Sequence, residues 1–175
     1  MKSLSNINPL DVQNDPRVVS VFEDSRDDKS ENDYLIILLD ESHLIFATKV
    51  LYVYRNDSGV ETTKKWVGGT KLEVPKEALS WFVKMIEEKF FKTEAEGGLS
   101  KGKFGCEKEI AGEKIVVSRM FGTPGYSFRN HSRHSYLFED STDPQDLLLS
   151  DEILFEKGLF ENFKKIASKI ENGDL

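Results

Sequence analysis

LEVPKEAL, Leu72–Leu79, and LLLSDEIL, Leu147–Leu154, both stand where a run of strand-like segments gives way to a helix. Superposed at an offset of 75 residues, Leu72 meets Leu147, Val74 meets Leu149, Glu77 meets Glu152 and Leu79 meets Leu154. Beyond that the match fades, with Gly158 opposite Val83, so the repeat is one of pattern more than of identity. After the first entry, Leu79, Phe82, Val83, Ile86 and Phe90 recur at spacings of three and four, one apolar helical face. Pro75 fits the first turn of that helix, where its missing N–H has no partner to lose. After the second, Ser150 is a good N-cap, and Asp151 and Glu152 suit the positive end of the helix dipole. Phe155, Leu159, Phe163, Ile166 and Ile170 form the stripe of a helix predicted from about Asp151 to Ile170.

Strand signals precede each helix. In the first half YLIILL, LIFATKVLYVYR, VETTKKWV and KLEV are separated by the turn-like DESH, NDSG and GGT. In the second half EKEIAG, EKIVVSRMF, YSFRN, SYLFED and LLLS follow, with GTPG as a turn and RNHSRHS read as a loop. Strands grouped ahead of a helix imply antiparallel sheets, not alternating βαβ units. The expected fold is α+β: two β-β-β-β-α repeats, curved antiparallel sheets backed by two helices. Residues 1–33 read as an acidic N-terminal arm, 34–96 as repeat 1 and 97–175 as repeat 2, both repeats in one domain.

The 175 residues, 38% hydrophobic and 31% charged, are globular in composition and long enough to bury a core. A single cysteine, Cys106, excludes an internal disulfide and supplies no cysteine pair for a zinc cluster. The N-terminus lacks a signal-peptide core, and the longest apolar run, Leu35–Leu39, is far short of the ~20 residues of a membrane helix. An intracellular location, cytoplasmic or nucleoid-associated, is the expectation.

Signatures of catalysis are missing. There is no Walker loop and no G-x-G-x-x-G. His131 and His134 could supply two metal ligands, but a site needs a third and a fourth, so no metal is expected. The surroundings of Cys106, KFGCEKE, match no cysteine-enzyme signature, and the carboxylates are scattered among lysines. A non-enzymatic protein without a cofactor is the expectation.

Charge is uneven. The formal total is -7, yet residues 97–138 carry seven basic and three acidic groups, net +4. That segment contains RMFGTPGYSFRNHSRHSYLF, Arg119–Phe138, where Gly122–Gly125 should reverse the chain and bring Arg119 and Phe121 across from Tyr126, Phe128 and Arg129. Rings interleaved with cations suit single-stranded nucleic acid, because every unpaired base offers a π-face. The candidates in the second half are Lys101, Lys103, Phe104, Lys114, Arg119, Phe121, Tyr126, Phe128, Arg129, Arg133 and Tyr136. Those in the first are Lys49, Tyr52, Tyr54, Arg55, Lys64, Lys65 and Trp66. Period two sends alternate strand residues into the core, so about half of these rings should be buried.

The order of strands then LEVPKEALSWFVKMIEE, repeated with LLLSDEILFEKGLFENFKKI, resembles the twofold plan of the Pur-alpha and Whirly proteins and their single-strand-binding coactivator relatives. The resemblance spans residues 34–170. It implies sheets that face single-stranded DNA or RNA through basic and aromatic side chains, which are the strand residues just named. The rival from another class is an acidic protein-binding module, an inhibitor or immunity-type partner that engages a basic protein through the acidic arm and tail. Either reading is compatible with a homo-oligomer and needs no membrane.

Overall fold

Four consecutive buried residues, Leu35 to Leu38, decide how the first half is built. A strand turns alternate residues to opposite faces, so such a run needs a sheet covered on both sides. The computed structural model describes residues 7–24, 33–134 and 143–175 and supplies both covers. Its strands are β1 Val18–Asp24, β2 Asp33–Asp40, β3 His43–Arg55, β4 Glu61–Pro75, β5 Gly105–Ile110, β6 Glu113–Arg119, β7 Gly125–His134 and β8 Pro144–Ser150. Helix α1, Glu77–Met85, follows β4, and helix α2, Leu159–Asn172, follows β8. β1 to β4 form one four-stranded antiparallel sheet in sequence order, and β5 to β8 form another. The fold is α+β with two β-β-β-β-α repeats. No helix among the described residues is long and apolar enough to cross a membrane.

Leu35 and Ile37 join Leu44, Phe46, Leu72 and Val74 in the core shared with the helices. On the opposite face Ile36, Leu38, Ile45 and Ala47 pack on Val12, which a 3-10 turn, Pro9–Asn14, lays across the sheet. Residues assigned to the acidic N-terminal arm thus complete the first sheet. Val18–Asp24 is its edge strand, with Val21 opposite Ile36 and Phe22 opposite Leu35, which corrects the boundary drawn at residue 33. VETTKKWV and KLEV, expected as two strands, are one strand of 15 residues that runs through Gly68 and Gly69. A Cβ on Gly68 would lie 2.8 Å from Pro9 Cβ. That glycine lets the Pro9–Asn14 turn rest on the strand.

The helices bury most of the faces their spacing predicts, but Phe90 is half-buried and Phe155, in the π-helical turn, is 37% exposed. Leu79, Phe82, Val83 and Ile86 are buried, as are Leu159, Phe163, Ile166 and Ile170. Pro75 ends β4 instead of opening a helix, and α1 starts two residues later at Glu77. The second helix is interrupted: a π-helical turn, Glu152–Glu156, ends near Gly158 at φ +83°, and α2 starts afresh at Leu159. A left-handed residue cannot continue a right-handed helix, and glycine adopts that conformation without strain. Ser150 does cap the entry, its Oγ accepting from Ile153 N–H at 3.2 Å. RNHSRHS is mostly strand, since β7 continues to His134, whereas SYLFED lies outside the described residues.

The repeat converges on four phenylalanines. Phe46 stands opposite Leu72 in the first sheet, as Phe128 stands opposite Leu147 in the second. Phe46 touches Phe128 at 6.1 Å between centroids and Phe163 at 5.8 Å, while Phe82 touches Phe128 at 4.8 Å and Phe163 at 5.8 Å. Each sheet phenylalanine therefore meets the other repeat's helix, closing a ring of contacts. Such pairs add about 0.5–1.5 kcal/mol each beyond the area they bury. One core cluster spans both repeats.

Candidate nucleic-acid interface

Pairing between β2 and β3 stops at Tyr34 opposite Lys49. Just beyond, Asp33 Oδ1 accepts Leu51 N–H at 3.2 Å and ends the ladder. Among the described residues β3 and β4 then continue as a two-stranded ribbon, with Val50 opposite Val67, Leu51 opposite Trp66, Tyr52 opposite Lys65, Val53 opposite Lys64 and Tyr54 opposite Thr63. Period two sorts these into faces. One carries Tyr52 and Tyr54, 53% and 54% exposed, with Lys65 and Thr63 across from them. On the other, Lys49 Nζ lies 4.9 Å from the Trp66 ring centroid and 5.9 Å from that of Tyr34, and the two rings are 6.1 Å apart. At the far end Glu61 lies 3.5 Å from Arg55 and 3.7 Å from Lys64, solvent-screened contacts that contribute little. Six of the seven first-half candidates lie on this ribbon, and Lys49 lies at its base, opposite Tyr34.

The second-half candidates scatter. Tyr126 and Phe128 are fully buried, since their phase in β7 points them at the helices. Burial pushes the Tyr126 phenol up to about 12. Arg119 lies over the Tyr126 ring at 4.2 Å and reaches Asp151 at 3.5 Å. Lys114 pairs with Glu107 at 2.9 Å, and half-buried Arg129 stands in register with Asp146. Phe121 and Phe104, 84% and 57% exposed, touch each other at 5.7 Å beside the exposed Lys101 and Lys103. Tyr136 lies outside the described residues. The basic surplus of residues 97–138 therefore does not gather on one strand face.

Arg133 is the largest correction. Its side chain is 4% exposed and lies between two carboxylates: Nη1 is 2.8 Å from Glu73 Oε1, Nη2 is 2.8 Å from Glu113 Oε1, and Nε donates to Glu113 Oε2 at 2.9 Å. Asn130 Nδ2 donates to Glu113 Oε2 at 2.6 Å and to the Glu73 carbonyl at 2.8 Å, and Glu73 N–H donates to Gln145 Oε1 at 2.9 Å. His43 Nε2 completes the cluster 3.1 Å from Glu113 Oε1. Burial alone would raise the Glu113 pKa, but hydrogen bonds from Arg133, Asn130 and His43 outweigh it and hold the group at about 2. Burial likewise opposes the charge on Arg133, and the bond to Glu113 prevails and raises its pKa. Tyr126, Phe128 and Arg133 thus leave the set of possible ligand contacts. The cluster ties β3 and β4 to the second sheet, and no sequence motif announces it.

Among the described residues no group of three or more His, Cys, Asp or Glu side chains is arranged to hold a metal ion. Burial pushes the Cys106 thiol up, against thiolate formation.

No family model matches the sequence, and no curated protein matches it. Among solved structures, the crystal structures of trypanosoma bruciei MRP1/MRP2 contain a chain that aligns at 12% identity and a TM-score of 0.40, over 86% of this chain and 92% of that one. At that TM-score the likeness carries no conclusion about this protein.

Proposed function

We propose that the protein is a non-enzymatic binding protein that takes single-stranded DNA or RNA on the outer half of the β3–β4 hairpin. The observation that carries this reading is the face on which Tyr52 and Tyr54 stand more than half exposed with Lys65 directly across from Tyr52. Tyrosines two residues apart on a strand are separated by about 6.8 Å, room for two unstacked bases of an extended single strand. Lys65 adds a cation for the phosphate between them, and Lys49 and Arg55 raise the local positive potential. A duplex hides its base faces, so it should bind less well.

One observation favours a second reading, an acidic module that binds a basic protein. In the second sheet Lys114 and Arg119 each have a carboxylate within 3.5 Å and Arg133 has two, so the positive field there is interrupted while the whole chain stays at -7. Fluorescence anisotropy with labelled single-stranded and duplex oligonucleotides, titrated from low salt upward, decides between the readings. Saturable, salt-sensitive binding that prefers the single strand supports the first. No binding at low salt leaves the second.

A further inference from the structure

We infer that Ser42 is a nucleophilic side chain that takes an acyl group from an activated ester or thioester, with His43 as its general base. The two residues stand where β2 reverses into β3, at the opposite end of β3 from the ribbon. Ser42 is exposed, and its Oγ lies 3.0 Å from His43 Nδ1. The other ring nitrogen, Nε2, lies 3.1 Å from Glu113 Oε1. A hydroxyl, an imidazole and a carboxylate are thus joined in one chain of hydrogen bonds, the arrangement that activates a serine.

The partners of the ring decide which way those bonds run. Bonds from Arg133 and Asn130 hold Glu113 as a carboxylate, which can only accept. A neutral His43 therefore keeps its proton on Nε2 and donates it to Glu113. Nδ1 is left with a lone pair, and the Ser42 hydroxyl becomes the donor. The backbone holds this alignment: His43 stands in register with Pro75, and the Ser42 carbonyl accepts Lys76 N–H at 2.9 Å. Glu41, just before it, has φ +53°, a conformation uncommon for residues other than glycine. An exposed hydroxyl adds little to the joint between repeats, whereas one already bonded to a base is ready to lose its proton.

In the step itself Ser42 Oγ attacks the carbonyl carbon of the donor and its proton passes to His43 Nδ1. The bond from that carbon to the leaving oxygen or sulfur breaks, and the leaving atom keeps the electron pair. The products are an ester on Ser42 and an imidazolium that faces the Glu113 carboxylate. This is a modification site, filled once per chain, and it does not depend on the nucleic-acid reading.

The probe is p-nitrophenyl acetate, with peptide mapping by mass spectrometry to follow the acetyl ester at each serine. Ser58, exposed in the β3–β4 turn between Asp57 and Gly59, is the internal reference. Ser42 should acetylate about 10²–10⁴-fold faster than Ser58, the usual contribution of a general base. His43→Gln should bring Ser42 down to the Ser58 rate, and Ser42→Ala should lose that ester, both with the wild-type circular dichroism spectrum. The ratio of the two serines is read within the wild-type chain, so it decides the matter even if His43→Gln does not fold. Equal rates at the two serines, an unchanged rate in a folded His43→Gln, or acetyl carried by the His43 ring in place of Ser42 would each overturn the proposal.

Discussion

The outer half of the β3–β4 hairpin and the strand β7 treat the same residue types in opposite ways. In the hairpin Tyr52 and Tyr54 are exposed and Lys65 stands across from one of them. In β7, Tyr126 and Phe128 lie in the core, and Arg133 lies between Glu73 and Glu113. The outer half of the hairpin extends past the last pair of β2 with β3, and Tyr52 and Tyr54 stay more than half exposed there. In β7, Phe128 packs on Phe82 of α1 and Tyr126 on Phe155 of the π-helical turn before α2, and its basic residue becomes part of the joint between repeats. Surplus charge along a sequence therefore does not locate a charged surface. The segment with net +4 has much of its charge met by carboxylates within it and beyond it, and the first repeat displays the rings and lysines.

The largest effect that could break this contrast is on stability. Arg133→Ala leaves Glu73 and Glu113 buried without their common partner, and should cost about 3–5 kcal/mol. Phe82→Ala and Phe163→Ala should each cost about 3–5 kcal/mol, since either opens the phenylalanine ring shared by the repeats. Urea denaturation measures all three. If Arg133→Ala unfolds at the wild-type midpoint, Arg133 is a surface residue and the two regions are not opposites.

The same cluster sets an acid limit. The Glu113 carboxyl has a folded pKa of about 2 against an ordinary 4.5, so it binds its proton less readily in the folded state. Its stabilisation is fully present above about 4.5 and is lost as pH falls towards 2. Melting temperatures should therefore drop through that window, and Glu113→Gln should start lower and flatten the slope. An unchanged slope in Glu113→Gln would mean that other carboxylates carry the acid sensitivity.

A smaller effect concerns how the first sheet is closed. In Gly68→Ala the new methyl group collides with the Pro9 ring, and overpacking of this kind costs about 1–3 kcal/mol. Removal of residues 1–14 should rescue the alanine variant relative to an equally shortened wild type, a difference that calorimetry resolves.

What the sequence made legible was local. Three-and-four spacing marked both helix faces, GTPG announced the β6–β7 reversal, and Ser150 signalled its cap, because each depends on neighbours within a turn. β1 escaped because VVSVF is short, is followed by charged residues, and becomes a strand only against β2. The Arg133–Glu113 pair escaped because it joins residues 20 positions apart, and nothing in NHSRHS distinguishes a buried arginine from an exposed one. The candidate rings were equally plausible in both halves. Alternation gives the period of a strand, but only the helices decide which phase is covered.

The smallest expected change in stability carries the largest expected change in binding, and it divides the two regions most sharply. Tyr54 stands beyond the last pair of β2 with β3, Tyr34–Lys49, and is more than half exposed, so Tyr54→Ala should shift stability by no more than about 0.5 kcal/mol. If a base stacks there, the substitution should still weaken single-strand binding by about 1–3 kcal/mol, roughly a five- to 150-fold rise in Kd. Lys65→Ala should act differently, lowering the slope of log affinity against log salt by about 0.7, one phosphate contact on a single strand. Arg129→Ala is the control: it is half-buried in the second sheet, in register with Asp146, and should leave both affinity and slope at the wild-type value. Equal losses from Tyr54→Ala and Arg129→Ala would mean that both sheets engage the ligand. A loss confined to Arg129→Ala would move the interface to the second repeat and remove the ribbon from the proposal.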